Sequence, residues 1–155
     1  MINEPTILKS QIRDTLFGKE VKVVEPVNIY GCSIGSNCFI GPFVEIQKDV
    51  SIGEGTKVQS HSFICELVTI GNNCFIGHGV MFINDRFSRG GPANGDKNFW
   101  KRTEIGNNVS LGSNSTIMPI FICDNVVIGA GSVVTKDISL PGIYAGNPAK
   151  LLRKL

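Results

Sequence analysis

Two imidazoles, His61 and His78, are the only side chains of this 155-residue chain whose ordinary pKa lies near neutrality. His78 follows Gly77 and stands just before Asn84 and Asp85, so an imidazole, a carboxamide and a carboxylate fall within one short stretch. An imidazole can take a proton from an attacking amine or hydroxyl, and a carboxamide can aim such a nucleophile by accepting its hydrogen bond. A carboxylate can hold a sugar or brace a loop. Asn-Asp pairs also open loops as Asx turns without any chemical role, and a surface histidine can be purely structural, so the surrounding elements have to decide.

Those elements are set by a period of six. Ile34, Ile40, Ile46, Ile52, Val58, Ile64, Ile70 and Ile76 stand six apart, and the spacing returns at Ile105, Leu111 and Ile117, then at Ile122, Ile128 and Val134. Such a period fits neither an α-helix nor an ordinary strand, and it predicts a repeating turn of backbone. Glycine often follows the aliphatic (Gly35, Gly41, Gly53, Gly71, Gly77, Gly106, Gly112, Gly129). A small or modest residue stands four along: Cys38, Val44, Val50, Thr56, Ser62, Val68, Cys74, Val80, Val109, Ser115, Phe121, Val126 and Ser132. The pattern predicts very short parallel strands stacked around a narrow apolar interior, each coil buried by the next. In that register His61 and His78 both face outward at turns, with His61 nearly three repeats earlier.

The repeat breaks once, between Phe82 and Ile105. The intervening residues join Asp85, Arg86, Arg89, Asp96, Lys97, Lys101 and Arg102 to Phe87, Phe99 and the single tryptophan, Trp100. Long loops of this kind are usually lids or binding loops, and their aromatics need a pocket, a neighbouring subunit or a ligand. A shorter irregularity follows, because Ile117 to Ile122 is five residues rather than six. At the end, PGIYAGNPAKLLRKL predicts a turn and then a short helix starting near Pro148, with Leu151, Leu152 and Leu155 on its apolar side to cap the last coil.

Composition narrows the function classes. A formal charge of +2 with dispersed Lys and Arg disfavours nucleic-acid binding. No apolar stretch reaches membrane-spanning length, and MINEPTILKSQIRD lacks the apolar centre of a signal peptide, so membrane insertion is not expected and the cytoplasm is. Five cysteines without a CxxC pair read as reduced, mostly buried thiols, and two histidines are too few for a three-histidine zinc site, so no metal is expected.

The hexads ending in VVIGAGSVVTKDI, followed by GIYAGNPAKLL, resemble the hexapeptide-repeat acyltransferases from about Val23 to Leu155. That resemblance implies an all-β fold: one domain over residues 1–155, built as a left-handed parallel β-helix of hexapeptide repeats. The inserted loop would occupy about 83–104, and the C-terminal cap, with its short helix, about 138–155. It also implies a homotrimer with active sites between subunits; spacing alone shows neither the handedness nor the number three. Within the family, VMFINDRFSRG resembles the N-acetyltransferases of nucleotide-linked 3-amino sugars.

For such an enzyme acetyl-CoA is a cosubstrate and no permanently bound cofactor is expected. Asn84 would orient the amine, His78 would act as base or positioning group, and Asp85 would hold the sugar or the loop. Arg86, Phe87, Trp100 and Arg102 become substrate-binding candidates. Gly129, Ala130, Thr135 and Lys136 would flank the pantetheine arm, with Asn147, Pro148, Lys150 and Arg153 near the phosphates. The expected acceptor is the 3-amino group of a dTDP-linked 3-amino-3,6-dideoxyhexose, in the making of cell-surface glycan precursors. A UDP-linked 3-amino-uronate, O-acetylation of a small sugar or alcohol, and a scaffold without catalysis remain the alternatives.

Overall fold

The computed structural model describes residues 5–155. Strands mostly two residues long form three sheets of seven, six and eight strands; as far as Val133–Val134 all pair in parallel and every third strand along the chain returns to the same sheet. Ile29 pairs with Ile46 and Ile46 with Ile64 in the first sheet, Ile34 with Ile52 in the second, and Ile40 with Val58 in the third. Each hexad is thus one side of a triangular coil. The result is a left-handed parallel β-solenoid.

The reason is visible in what each side buries. One large aliphatic per side points inward, and Ile29, Ile40, Ile46, Ile64, Ile76, Leu111, Ile117 and Ile122 are fully buried. At the corners the interior narrows and smaller residues fill it: Cys38, Thr56, Cys74 and Val109 at one, Val44, Ser62, Val80 and Ser132 at another. Thr56, Ser62 and Ser132 satisfy their hydroxyls on the coil backbone, whereas the Ser115 hydroxyl at the second corner has no partner among the described residues. The Thr56 hydroxyl donates to the Gly71 carbonyl at 2.9 Å, and that of Ser62 to Gly77 at 2.8 Å. Burial raises the Cys65 thiol to about 12 and pushes those of Cys32, Cys38 and Cys74 upward as well.

Outside one corner, side chains tie successive coils together. Asn72 Oδ1 accepts from the Glu54 N–H, Asn107 Oδ1 from the Asn72 N–H and Asp124 Oδ1 from the Asn107 N–H, at 2.7–2.8 Å. The Asn107 amide holds the Asp124 carboxyl below the usual carboxylate range. Asparagines such as Asn37, Asn73, Asn108 and Asn114 occupy left-handed corner positions, which they tolerate better than most residues.

Two sequence expectations are corrected here. Phe121 does not point inward: it is 43% exposed, while Ile120 is buried. In a six-residue side the small position is four after the preceding aliphatic and two before the next, and the five-residue step keeps only the second relation. The tail forms no helix either. Gly142–Ala145 extends the third sheet beside Val126–Ile128, and Lys150–Arg153 returns antiparallel to it. Pro148 stands in the turn between them after a cis bond from Asn147. Gly142–Ala145 completes the backbone row of the last coil but carries an outer edge of its own; the returning strand pairs that edge, whereas a helix from Pro148 would leave it open. Tyr144 O accepts from the Gly129 N–H at 2.8 Å, and the turn is joined to the first sheet by Val133 N–H to Gly146 O at 2.9 Å and Ala149 N–H to Val133 O at 2.8 Å. The only helix among the described residues is the 3-10 turn Lys97–Phe99, and no helix is long and apolar enough to cross a membrane.

Close coil stacking gives a direct stability test. A Cβ at Gly35 would lie 2.7 Å from the Glu54 backbone nitrogen and 2.9 Å from the Gly53 carbonyl carbon, whereas one at Gly91 would meet nothing within 4 Å. Gly35→Ala is expected to destabilise the fold by roughly 1–3 kcal/mol. Gly91→Ala should stay within about 0.5 kcal/mol of the parent. Urea unfolding midpoints read the difference, and equal midpoints would contradict this packing.

Candidate active site

The insertion leaves the solenoid after Phe82, at the corner between the first and second sheets, and rejoins it at Thr103–Ile105. Asp85 organises its interior. One carboxylate oxygen accepts from the Phe87 N–H at 2.9 Å, the other from the Ala93 N–H at 2.7 Å, and the Asp85 backbone forms an antiparallel bridge with Trp100. Asp96 caps the 3-10 turn through the Asn98 N–H. Much of the loop's charge and aromatic surface is used internally: Arg89 lies over the Phe99 ring at 4.5 Å, and Lys97 over Trp100 at 5.2 Å. Arg86 donates to the Pro119 carbonyl on the stack, Arg102 faces Glu104 at 3.9 Å, and Phe87 projects into solvent.

Asn84 sits at the root of this loop, half-buried. Among the described residues its side chain makes one hydrogen bond, from Nδ2 to the Glu66 carbonyl at 3.4 Å, while its backbone carbonyl accepts from the Lys101 N–H at 2.9 Å. A carbonyl partner requires the NH2 end of the amide, so Oδ1 is left as the free acceptor. Glu66 also takes the Lys97 ammonium on its carboxylate, and this hydrogen bond raises the Lys97 pKa.

His78 occupies a different corner, between the third and first sheets, and is exposed. Its Nδ1 lies 2.8 Å from Ser60 Oγ. When Nδ1–H donates to that hydroxyl, Nε2 is the free acceptor. The two-residue strand Met81–Phe82 separates His78 from Asn84. Within one chain the six residue steps from one to the other can span up to roughly 20 Å, and no hydrogen bond joins the two. His61 lies one coil below His78, in a left-handed corner conformation and stacked on Phe43 with ring centroids 4.9 Å apart.

The remaining expected site residues divide among corners. Gly129 and Ala130 share the His78 corner with the tail turn carrying Asn147 and Pro148, and Lys150 begins the returning strand beside them. Thr135 and Lys136 follow Val133–Val134 at the insertion's corner, and Arg153 pairs with Ile143 toward the far end of the hairpin. Between the insertion and the later coils runs a notch of about 540 Å³ whose lining includes Arg86, Lys101, Arg102 and Phe121. A second hollow of about 510 Å³ lies within the loop, against Asp85, Arg89 and Phe99.

Sequence reasoning missed Ser60 and Glu66. The signal was available, because each stands 18 residues before the side chain it holds, one coil below His78 and Asn84 respectively.

Comparison with known proteins agrees with this architecture. A profile described as bacterial transferase hexapeptide (six repeats) matches residues 31–66, and one described as hexapeptide repeat of succinyl-transferase matches 67–81 and 102–136, so the matches stop where the insertion begins and resume where it ends. The structure of a maltose O-acetyltransferase from Clostridium difficile 630 is 31% identical, covers 90% of this chain and 71% of its own, and superposes with a TM-score of 0.62. The chain belongs to the hexapeptide-repeat acyltransferase superfamily.

Other members differ in size and acceptor. A galactoside acetyltransferase in complex with coenzyme A is 34% identical, with 92% of this chain and 65% of that one covered and a TM-score of 0.63. The bifunctional protein GlmU of Prochlorococcus marinus is 32% identical over 150 residues, which is 96% of this chain and 31% of GlmU. The chain therefore spans about a third of the length of the curated relatives it matches.

Proposed function

We propose that this hexapeptide-repeat protein is an acetyl-CoA-dependent N-acetyltransferase acting in the cytoplasm on the 3-amino group of a dTDP-linked 3-amino-3,6-dideoxyhexose, a precursor of cell-surface glycan. The observation that carries the reading is the Asn84 amide, whose NH2 end is committed to the Glu66 carbonyl while its oxygen stays free. An acceptor amine can donate one N–H to that oxygen and direct its lone pair at the thioester carbon. The amine nitrogen then bonds to the carbonyl carbon, the carbon–sulfur bond breaks, and the departing thiolate of coenzyme A takes the proton lost by nitrogen. The products are an amide and free coenzyme A, and no side-chain base is consumed.

His78 has a positioning role in this scheme. Its corner also carries Gly129 and Ala130, beside which we place the pantetheine arm, with Asn147, Pro148 and Lys150 near the phosphates. Thr135, Lys136 and Arg153 lie at other corners and would reach the same ligand only along the seam between two copies. Trimeric assembly with intersubunit sites supplies such a seam and brings one copy's Asn84 corner toward another's His78 corner. Arg86, Phe87, Trp100 and Arg102 border the acceptor's side of that seam. Were the acceptor a UDP-linked 3-amino-uronate, the notch cations Arg86 and Arg102 would face its carboxylate.

O-acetylation of a sugar hydroxyl is the second reading, supported by the 31% and 34% identical acetyltransferases named for maltose and galactoside. A hydroxyl needs a stronger base than an amine. The insertion carries no histidine, so that reaction would depend on His78.

Steady-state assays over dTDP-amino, UDP-amino and simple sugar acceptors separate these readings. Asn84→Ala is expected to lower kcat/KM by about 10²-fold or more. His78→Ala should act chiefly on KM. Equal turnover of a non-nucleotide alcohol, or a folded Asn84→Ala protein with parental kinetics, would overturn the assignment. Sedimentation of the purified chain should give a trimer, and a fully active monomer would exclude the shared site.

A further inference from the structure

Glu66 closes a ring of contacts around the root of the insertion. Its backbone carbonyl takes the Asn84 side chain, and its carboxylate takes the Lys97 ammonium from the other end of the loop. Lys97 lies over the Trp100 ring and its carbonyl accepts the Trp100 backbone N–H at 3.1 Å, while the Trp100 backbone bridges Asp85, the residue after Asn84. The burial is asymmetric: the Glu66 side chain is 13% exposed and that of Lys97 54%. A largely covered carboxylate with one cationic partner holds that partner firmly, because losing it would leave the charge both unpaired and partly desolvated. Nothing comparable anchors the loop's far tip, where a side chain at Gly90 or Gly91 would meet open space.

We propose that Glu66 is a positioning residue: its contact with Lys97 latches the insertion onto the coil below and thereby fixes the Asn84 amide with its oxygen turned to the acceptor. This deepens the N-acetyltransferase reading and rests on it for the role of Asn84. Glu66 touches no substrate in this scheme. Its effect passes through the loop, so opening the latch should misplace the acceptor rather than remove a reacting group, and kcat should suffer more than the KM for acetyl-CoA.

Trp100 is the chain's only tryptophan and sits inside the ring, so its fluorescence reports the latch independently of catalysis. The test compares Glu66→Ala, Lys97→Met and the double variant in the full-length protein, by acrylamide quenching and by steady-state kinetics. Each single variant is expected to increase quenching of Trp100 and to lower kcat by about 10-fold or more. In kcat the double variant should be no worse than the worse single, since the Glu66–Lys97 contact is common to both, while Lys97→Met also removes the ammonium over Trp100 and so should raise quenching more than Glu66→Ala does. Lys97 is exposed, so Lys97→Met keeps the test sound should Glu66→Ala fail to fold. Unchanged quenching in Lys97→Met, increased quenching with parental kcat, or losses that multiply in the double variant would each overturn the latch. Failure of the substrate assignment looks different, because it shows as absent turnover in the unsubstituted protein, with the Trp100 response intact.

Discussion

One large aliphatic must fit inside each six-residue side of the coil, and that constraint organises everything else. The interior is too narrow for more, so the corners take small residues inside and leave every functional group outside. Coil stacking then converts sequence distance into contact. Residues 18 apart become vertical neighbours at one corner, which is how Ser60 meets His78 and Glu66 meets Asn84. Residues six apart occupy successive corners and remain separate within a chain, as His78 and Asn84 do.

Because each corner is a column, the insertion had to be placed where a column could hold it. It leaves at the Glu66 corner, and the coil below supplies a backbone carbonyl and a carboxylate as fixed anchors, while Pro119 above receives Arg86. Asp85 folds the loop on itself by accepting from two of its backbone amides. Rigid solenoid and internally braced loop together leave Asn84 Oδ1 without a partner among the described residues, free to accept the hydrogen bond that the proposed amine acceptor would donate.

The hexads made the solenoid legible because burial repeats with the chain at every coil. The insertion was legible for the complementary reason, as the one place where that burial stops. Phe121 was misassigned inward because a five-residue side changes which relation locates the corner, and only the distance to the following aliphatic, Ile122, survives it. The tail escaped because proline followed by paired leucines suits a helix start locally, while what decides its conformation is the free edge of Gly142–Ala145, which exists only because that strand is itself held on the third sheet beside Val126–Ile128. Within the site, His78, Asn84 and Asp85 stood out by residue type. Ser60 and Glu66 did not, since their importance comes from the 18-residue offset and not from their own neighbourhood.

Transfer to an amine aimed by a carboxamide requires the acceptor nitrogen, the Asn84 oxygen and the thioester to converge at one point. A crystal structure of the protein with coenzyme A and the dTDP-linked 3-amino sugar tests this most directly. The expected result places the acceptor nitrogen about 3 Å from Asn84 Oδ1. That nitrogen should also lie within roughly 3.5 Å of the position where the thioester carbon would stand, beside the coenzyme sulfur. An acceptor nitrogen held by His78 Nε2 with Asn84 uncontacted would contradict the account.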